Sequence, residues 1–191
     1  MLKLDQLKRQ LKVGKVYRRG ELSKWSSAID RHLDALLKEG VLEKISQGLY
    51  YVPKTSTFGK VPPDEDVLVQ SFLKDSRFLI LTPNSYNNLG FGTTQLYNKK
   101  VVYNHKRHGK FKLGNREFEF QLKHHFPKKL TPEFLMVDLT NNLDFLAEDQ
   151  SNVLDKVIQR ASQLPSKKLK QAILEYGTVK TKKILNQYFN K

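Results

Sequence analysis

Four of the five histidines in the chain, His105, His108, His124 and His125, fall in one lysine-rich stretch, with Glu117 and Glu119 between them. Imidazole and carboxylate are the groups that hold zinc or move protons near neutral pH, so an enzymatic centre would first be sought here. The spacing argues against one. Zinc needs three or four converging ligands, whereas Glu117 and Glu119 alternate onto one face of a Phe-rich strand. A nuclease-like cluster of these two glutamates with Lys123 lacks the preceding Asp, since residues 99–116 contain none. There is no cysteine, which removes thiolate metal sites, disulfides and a cysteine nucleophile. Gly90 and Gly92 are not followed by the lysine and hydroxyl residue of a phosphate loop, and no serine elbow or dinucleotide fingerprint is present. The reading is of a protein that is no enzyme and carries no metal and no cofactor.

The stronger signal is cationic. A formal net charge of +15 and a pI near 9.8 point to a polyanionic partner, because lysine and arginine that displace counterions from phosphates bind without regard to sequence. The charge is segregated. Residues 1–57 carry +6, residues 99–129 carry +8 and residues 165–191 carry +6, while residues 130–164 are acidic at −4. Lys99, Lys100, Lys106, Arg107, Lys110 and Lys112, interleaved with Tyr97, Tyr103 and Phe111, make the central block a possible second surface for nucleic acid or another partner.

The elements that would position these cations are best marked between Ser26 and Val52. Ile29, Leu33, Leu36 and Leu37 share one helical face at about 100° per residue, leaving Ser27, Arg31 and Lys38 on the other. Ser26 or Ser27 is expected to cap this helix, with Asp30 completing a capping box and Gly40 ending it. The apolar runs 41–45 and 49–52, joined by Ser46, Gln47 and Gly48, predict a two-stranded wing. Upstream, Leu4, Leu7 and Leu11 predict a helix over 2–12, Val16 and Tyr17 a short strand, and Gly20–Trp25 a second short helix, with Trp25 in the core. Helix, strand, helix, helix and hairpin is the order of a winged helix-turn-helix. In that arrangement Ser26, Ser27 and Arg31 would meet base edges in the major groove, Arg19, Lys24, Lys38 and Lys44 would hold phosphates, and Gln47 would touch the backbone or minor groove from the wing.

Pro53, Gly59, Pro62 and Pro63 suggest a linker over 53–65, so the expected domains are 1–57 and 58–191. Beyond it the sequence predicts a helix over 64–75, a strand over 78–81, and antiparallel strands near 101–103, 111–113 and 118–122. Residues 82–104 are dense in Asn, Thr, Tyr and Gly, with Asn84, Tyr86, Asn87, Thr93, Thr94 and Gln95 either contacting a partner or bonding their own turns. From Pro132 the pattern is helical, with Leu135, Leu139, Leu143 and Leu146 on one face and breaks at Pro165 and Gly177. Asp138, Asp144, Glu148 and Asp149 read as an acidic, solvated surface. The fold class is therefore α+β: an N-terminal winged helix followed by a mixed α/β domain with a small antiparallel sheet and a helical end. No long apolar run suggests a membrane span, and a soluble, cytoplasmic protein is expected.

Several strings together resemble the AbiEi-like antitoxins and transcriptional regulators of abortive-infection toxin-antitoxin systems. They are QGLYYVP (47–53), FGKVPP (58–63), LTPNSYNNLGFGTTQLYN (81–98), VVYNHKR (101–107) and FPKKLTPEFLMVDLTNNL (126–143). The resemblance implies a winged helix that represses its own operon at operator repeats in double-stranded DNA. It also implies a C-terminal domain that counteracts a co-encoded nucleotidyltransferase-like toxin. The alternative from another class is an RNA-binding or RNA-processing protein that uses the basic central sheet.

Overall fold

The structure is a computed structural model that describes residues 2–82, 84–87, 100–145 and 149–189. It is a mixed α+β chain that divides into two compact units, residues 1–76 with 111–117, and residues 77–110 with 118–191. The division falls after Ser76, so the proline-bounded segment 53–65 lies inside the first unit.

In the first unit, α1 (Leu2–Gln10) precedes β1 (Val16–Arg18), α2 (Arg19–Leu22) with a 3-10 turn (Ser23–Trp25), and α3 (Ile29–Lys38). Strands β2 (Glu43–Ser46) and β3 (Leu49–Tyr51) follow, and the sheet order is β1-β3-β2, all antiparallel. Leu7, Tyr17, Leu22, Ile29, Leu33, Leu36, Leu42, Tyr50 and Val52 close over one core. The turn Gln47-Gly48 needs a left-handed residue, and Gly48 supplies it at φ +70° without a Cβ penalty. Trp25 is not in the core: it is 40% exposed and meets Tyr17 edge-on at 5.9 Å.

The segment read as a linker instead folds back on itself as a hairpin, β4 (Lys54–Ser56) with β5 (Gly59–Val61). The Tyr51 hydroxyl donates to Val61 O at 2.8 Å, and Lys60 pairs with Glu43 at 2.6 Å, which ties the hairpin to β2 and β3. Helix α4 (Glu65–Leu73) starts where Asp64 accepts from the backbone N–H groups of Asp66 and Val67. It ends at Lys74, which adopts a left-handed φ of 54°.

The second unit is built on β6 (Phe78–Leu81), β7 (Lys100–Asn104) and β9 (Arg116–Leu122), in a four-stranded sheet of order β6-β7-β9-β8, where β8 is Gly109–Leu113. The turn end of the β8–β9 hairpin, 111–117, belongs to the first unit, where Gly114 N–H donates to Ile45 O at 2.9 Å. The sheet is not wholly antiparallel: β7 and β9 run parallel, with Val102 opposite Phe120. Period-two alternation reports which face a residue takes and not the direction of its neighbour strand, so the parallel pair carried no signal of its own. A short helix α5 (Asn84–Asn87) lies between β6 and β7.

Helix α6 (Pro132–Asn141) is the centre of the second core, with residues 133–140 all buried, and helices α7 (Gln150–Ala161), α8 (Ser166–Tyr176) and α9 (Val179–Phe189) pack against it. Thr131 caps it, accepting from Phe134 N–H, and Pro132 fits the first helical position, where no donor is needed. Leu143 falls in a following 3-10 turn (Leu143–Phe145), so α6 stops before the predicted leucine face is complete; Leu146 lies outside the described residues. Among the described residues no helix is long and apolar enough to cross a membrane.

Candidate nucleic-acid interface

The cations of the first unit are held by α2, α3 and the β2–β3 hairpin. Helix α3 is strongly two-sided: Ile29, His32, Leu33 and Leu36 are buried, while Asp30, Arg31, Asp34 and Lys38 are exposed. Its start differs from the predicted cap. The helix begins at Ile29, the N-cap position is Ala28, and no side chain caps it.

Ser26 and Asp30 are used elsewhere. Ser26 is 6% exposed, and its Oγ lies 2.8 Å from Nδ1 of the buried His32. A hydroxyl committed to that contact is not presented to a groove, which takes Ser26 out of the base-reading set. A serine before a helix has the same letter whether it caps or is buried against an imidazole, and only the fold distinguishes the two. Asp30 accepts two hydrogen bonds from Arg19, Nε to Oδ1 and Nη2 to Oδ2, both at 2.7 Å. This bidentate pair links the first residue of α2 to the first turn of α3. The hydrogen bond to Arg19 holds the Asp30 carboxyl below its ordinary value, and the same bond raises Arg19. Arg19 is therefore partly neutralised, though still half exposed at its side chain.

Ser27, Arg31 and Lys38 are exposed along α3 and the turn before it, Lys24 is exposed on the 3-10 turn, Lys44 on β2, and Gln47 at the β2–β3 turn. None of these six side chains forms a hydrogen bond or ion pair with another described residue. Tyr50 on β3 is buried, and that burial raises its phenol above the ordinary value.

Arg18 was not singled out by the sequence reading, yet it braces this unit. Its Nη2 donates to Phe72 O at 2.7 Å and to Ser71 O, so a guanidinium meets the carbonyl end of α4. Arginine runs such as Arg18-Arg19 carry no mark that separates a structural cation from a ligand-facing one. At the hairpin end 111–117, Arg116 plays a similar part, donating to Pro63 O at 2.9 Å and lying 3.5 Å from Glu65.

The second basic set is distributed differently from its order in the sequence. Lys106 and Arg107 are exposed on the loop after β7, Lys110 is exposed on β8 in the second unit, Lys112 is exposed but belongs to the first unit, and Lys100 is half-buried. Lys99 lies outside the described residues. The loop 105–108 is tied to Asn104, 1% exposed, whose Oδ1 accepts from the N–H groups of Lys106 (2.8 Å) and Arg107 (2.7 Å) and whose Nδ2 donates to Arg107 O and Gln121 O. Because β7 and β9 are parallel, the loops leaving them emerge at the same sheet end. They carry Lys106, Arg107, Lys123, Lys128, Lys129 and four histidines without an acidic residue. His105 stacks on Phe126 at 4.8 Å, and Lys123 lies 5.0 Å over the Tyr103 ring. Among the described residues no three His, Asp or Glu side chains come together as metal ligands would.

The acidic set is not one solvated surface. Asp138 is 2% exposed and accepts hydrogen bonds from the hydroxyls of Tyr86 and Tyr103, the latter at 2.9 Å. Asp144 pairs with Lys180 at 2.6 Å, and Asp149 caps α7; Glu148 lies outside the described residues. Tyr86 is thereby a core residue, while the side chains of Asn84 and Asn87, and all of Thr93, Thr94 and Gln95, lie outside what the structure describes.

In fold, the chain is similar to the crystal structure of RV2827C protein from Mycobacterium tuberculosis, with a TM-score of 0.56 over 98% of this chain and 74% of that one. The two are 12% identical, so the likeness is one of architecture. No curated protein matches the chain in sequence. Residues 5–173 match the model of DUF6088, a family of unknown function, and the chain belongs to that family.

Proposed function

We propose that the first unit is a winged helix-turn-helix that binds double-stranded DNA, with α3 in the major groove and the β2–β3 turn as the wing. The observation that carries this reading is the chain order α1-β1-α2-α3-β2-β3 with sheet order β1-β3-β2, on which α3 buries its apolar face and leaves Arg31 and Lys38 bare. Ser27 and Arg31 would reach base edges. Lys24, Lys38 and Lys44 would hold phosphates, with Arg19 contributing in competition with Asp30, and Gln47 would contact DNA from the wing.

In this proposal the protein is a cytoplasmic transcriptional regulator of the AbiEi-like kind. It represses its own operon and serves as the antitoxin to a nucleotidyltransferase-like toxin, without itself being an enzyme. The test is binding of the full chain to labelled duplex from upstream of its own gene, against random duplex at equal salt. A specific site tighter than random duplex by 10³-fold or more supports the reading, and equal affinity for both sinks the regulator. Growth rescue from a toxin encoded beside it tests the antitoxin role separately.

A second reading is favoured by the two acid-free loops at one sheet end of the second unit, which carry Lys106, Arg107, Lys123, Lys128 and Lys129 with His105, His108, His124 and His125. There the protein would bind RNA, or process it with histidines as acid and base. Tighter binding of single-stranded RNA than of any duplex, or RNA cleavage by the purified chain, would favour it.

A further inference from the structure

On the exposed face of α3 one charge has the wrong sign for a phosphate-binding surface. Asp34 is exposed, one turn after Arg31 and one turn before Lys38; its carboxylate forms no hydrogen bond or ion pair with any described side chain and acts only at a distance, helping to raise the Tyr50 phenol. The other carboxylate of that face, Asp30, is closed off by Arg19 through two 2.7 Å bonds, so Asp34 is the one on this helix left open. A bare carboxylate facing DNA is repelled by phosphate and by most of what the major groove presents: N7 and O6 of guanine, N7 of adenine, O4 of thymine. It is attracted only to the exocyclic amino groups, N4 of cytosine and N6 of adenine.

We infer that Asp34 is a specificity-determining residue that accepts a hydrogen bond from such an amino group, cytosine N4 first, on the base pair next to the one Arg31 reads. The inference rests on the winged-helix reading of the first unit. Helix geometry permits it: side chains three apart are neighbours at about 5–6 Å between Cβ atoms, and successive bases rise about 3.4 Å along a strand. Arg31 suits guanine O6 and N7, and Asp34 suits the amino group of a pyrimidine or purine beside it. The same carboxylate penalises every other edge and the backbone itself, so it acts by rejecting wrong sequences as much as by binding the right one.

The experiment selects duplexes from a randomised pool with the full wild-type chain, then measures competition at every position for wild type, Asp34→Ala, Asp34→Asn and Arg31→Ala. Asp34 is exposed and its nearest influence is on the Tyr50 phenol, so the variants should fold, and circular dichroism checks that they do. The expected result has three parts. Wild type prefers an amino-bearing base beside the guanine whose preference Arg31→Ala removes. Asp34→Ala loses that one preference by about 5- to 100-fold, the range for a single base contact, while binding random duplex a few-fold tighter. Asp34→Asn shifts the position towards adenine, whose N6 and N7 an amide can pair with. If Asp34→Ala tightens all duplexes alike and leaves every base preference intact, or changes nothing, the inference is overturned while the winged-helix reading stands. If the wild-type chain binds no duplex at all, the winged-helix reading falls, and Asp34's role with it.

Discussion

Arg19 and Asp30 are joined at both ends of the guanidinium fork, each bond 2.7 Å long, so that the start of α2 is locked to the first turn of α3. Because the pair is open to solvent, its weight is in geometry and charge more than in stability. Asp30→Asn should free Arg19 for phosphate. Affinity for duplexes of every sequence is then expected to rise, and the plot of log K against log salt to steepen by about 0.9 for the one phosphate gained. A salt titration by fluorescence anisotropy reads this directly, and an unchanged slope means that Arg19 stays out of the interface. The pH dependence has a definite sign. Asp30 is held below 3.8 in the folded chain, so the pair's contribution is present above the ordinary carboxylate range and lost as pH falls through the lowered value. Wild type and Asp30→Asn should therefore converge in thermal stability under acid, and nowhere between neutral pH and pH 9.

Arg31 and Lys44 are both exposed and unpaired among the described residues, but they should fail differently when removed. If Arg31 reads a guanine edge, Arg31→Ala costs about 1–3 kcal/mol on the specific site and far less on random duplex. Lys44→Ala should weaken both alike and reduce the salt slope by about 1. Competition binding on the two duplexes separates them, and equal losses for Arg31→Ala would remove its base-reading role.

Arg18 makes a prediction about stability alone. Its guanidinium meets the carbonyl groups of Ser71 and Phe72 at the end of α4, and hydrogen bonds from a charged donor are worth about 1.5–3 kcal/mol each. Arg18→Ala should lower unfolding free energy by roughly 2–3 kcal/mol with duplex binding by the folded fraction unchanged. Urea titration and binding below the transition test both halves.

What the sequence made legible was whatever period and punctuation encode. The two-sided pattern of α3, the helix after the prolines, the Gly48 turn and the apolar strand 78–81 follow from local spacing, and the structure contains each of them. The hairpin 54–61 was illegible because Lys54, Thr55, Ser56, Gly59 and Lys60 are exposed, so no alternation marks the strands, and the prolines around it suggested a linker. Ser26, Asp30 and Arg18 were readable as residues able to form hydrogen bonds but not as to which bonds, since their partners are set by packing. The rest of the Asn/Thr-rich segment, including Thr93, Thr94 and Gln95, lies outside the described residues and tests nothing of its reading.

Asp138 shows the same limit most clearly, and yields the last prediction. A lone acid in the string FLMVDLT looked like one more solvated charge of an acidic helix, although a single carboxylate among apolar neighbours on a fully buried helix must find donors or lose its charge. It finds the hydroxyls of Tyr86 and Tyr103, which join α6 to α5 and β7. Tyr103→Phe leaves the ring's packing in place and removes one donor from a buried acceptor, at a cost of about 1–3 kcal/mol. Asp138→Asn should be milder than Asp138→Leu only if the site needs hydrogen bonds more than it needs charge. If Tyr103→Phe and Tyr86→Phe are each neutral in urea titration while Asp138→Leu stabilises, the triad is tolerated polarity and not a joint of the second core. A double variant, Tyr103→Phe with Asp138→Leu, decides between them. Removing both partners should cost less than the sum of the single losses where the bond is real, because the Tyr103 hydroxyl is then gone along with its acceptor and only that of Tyr86 is left orphaned.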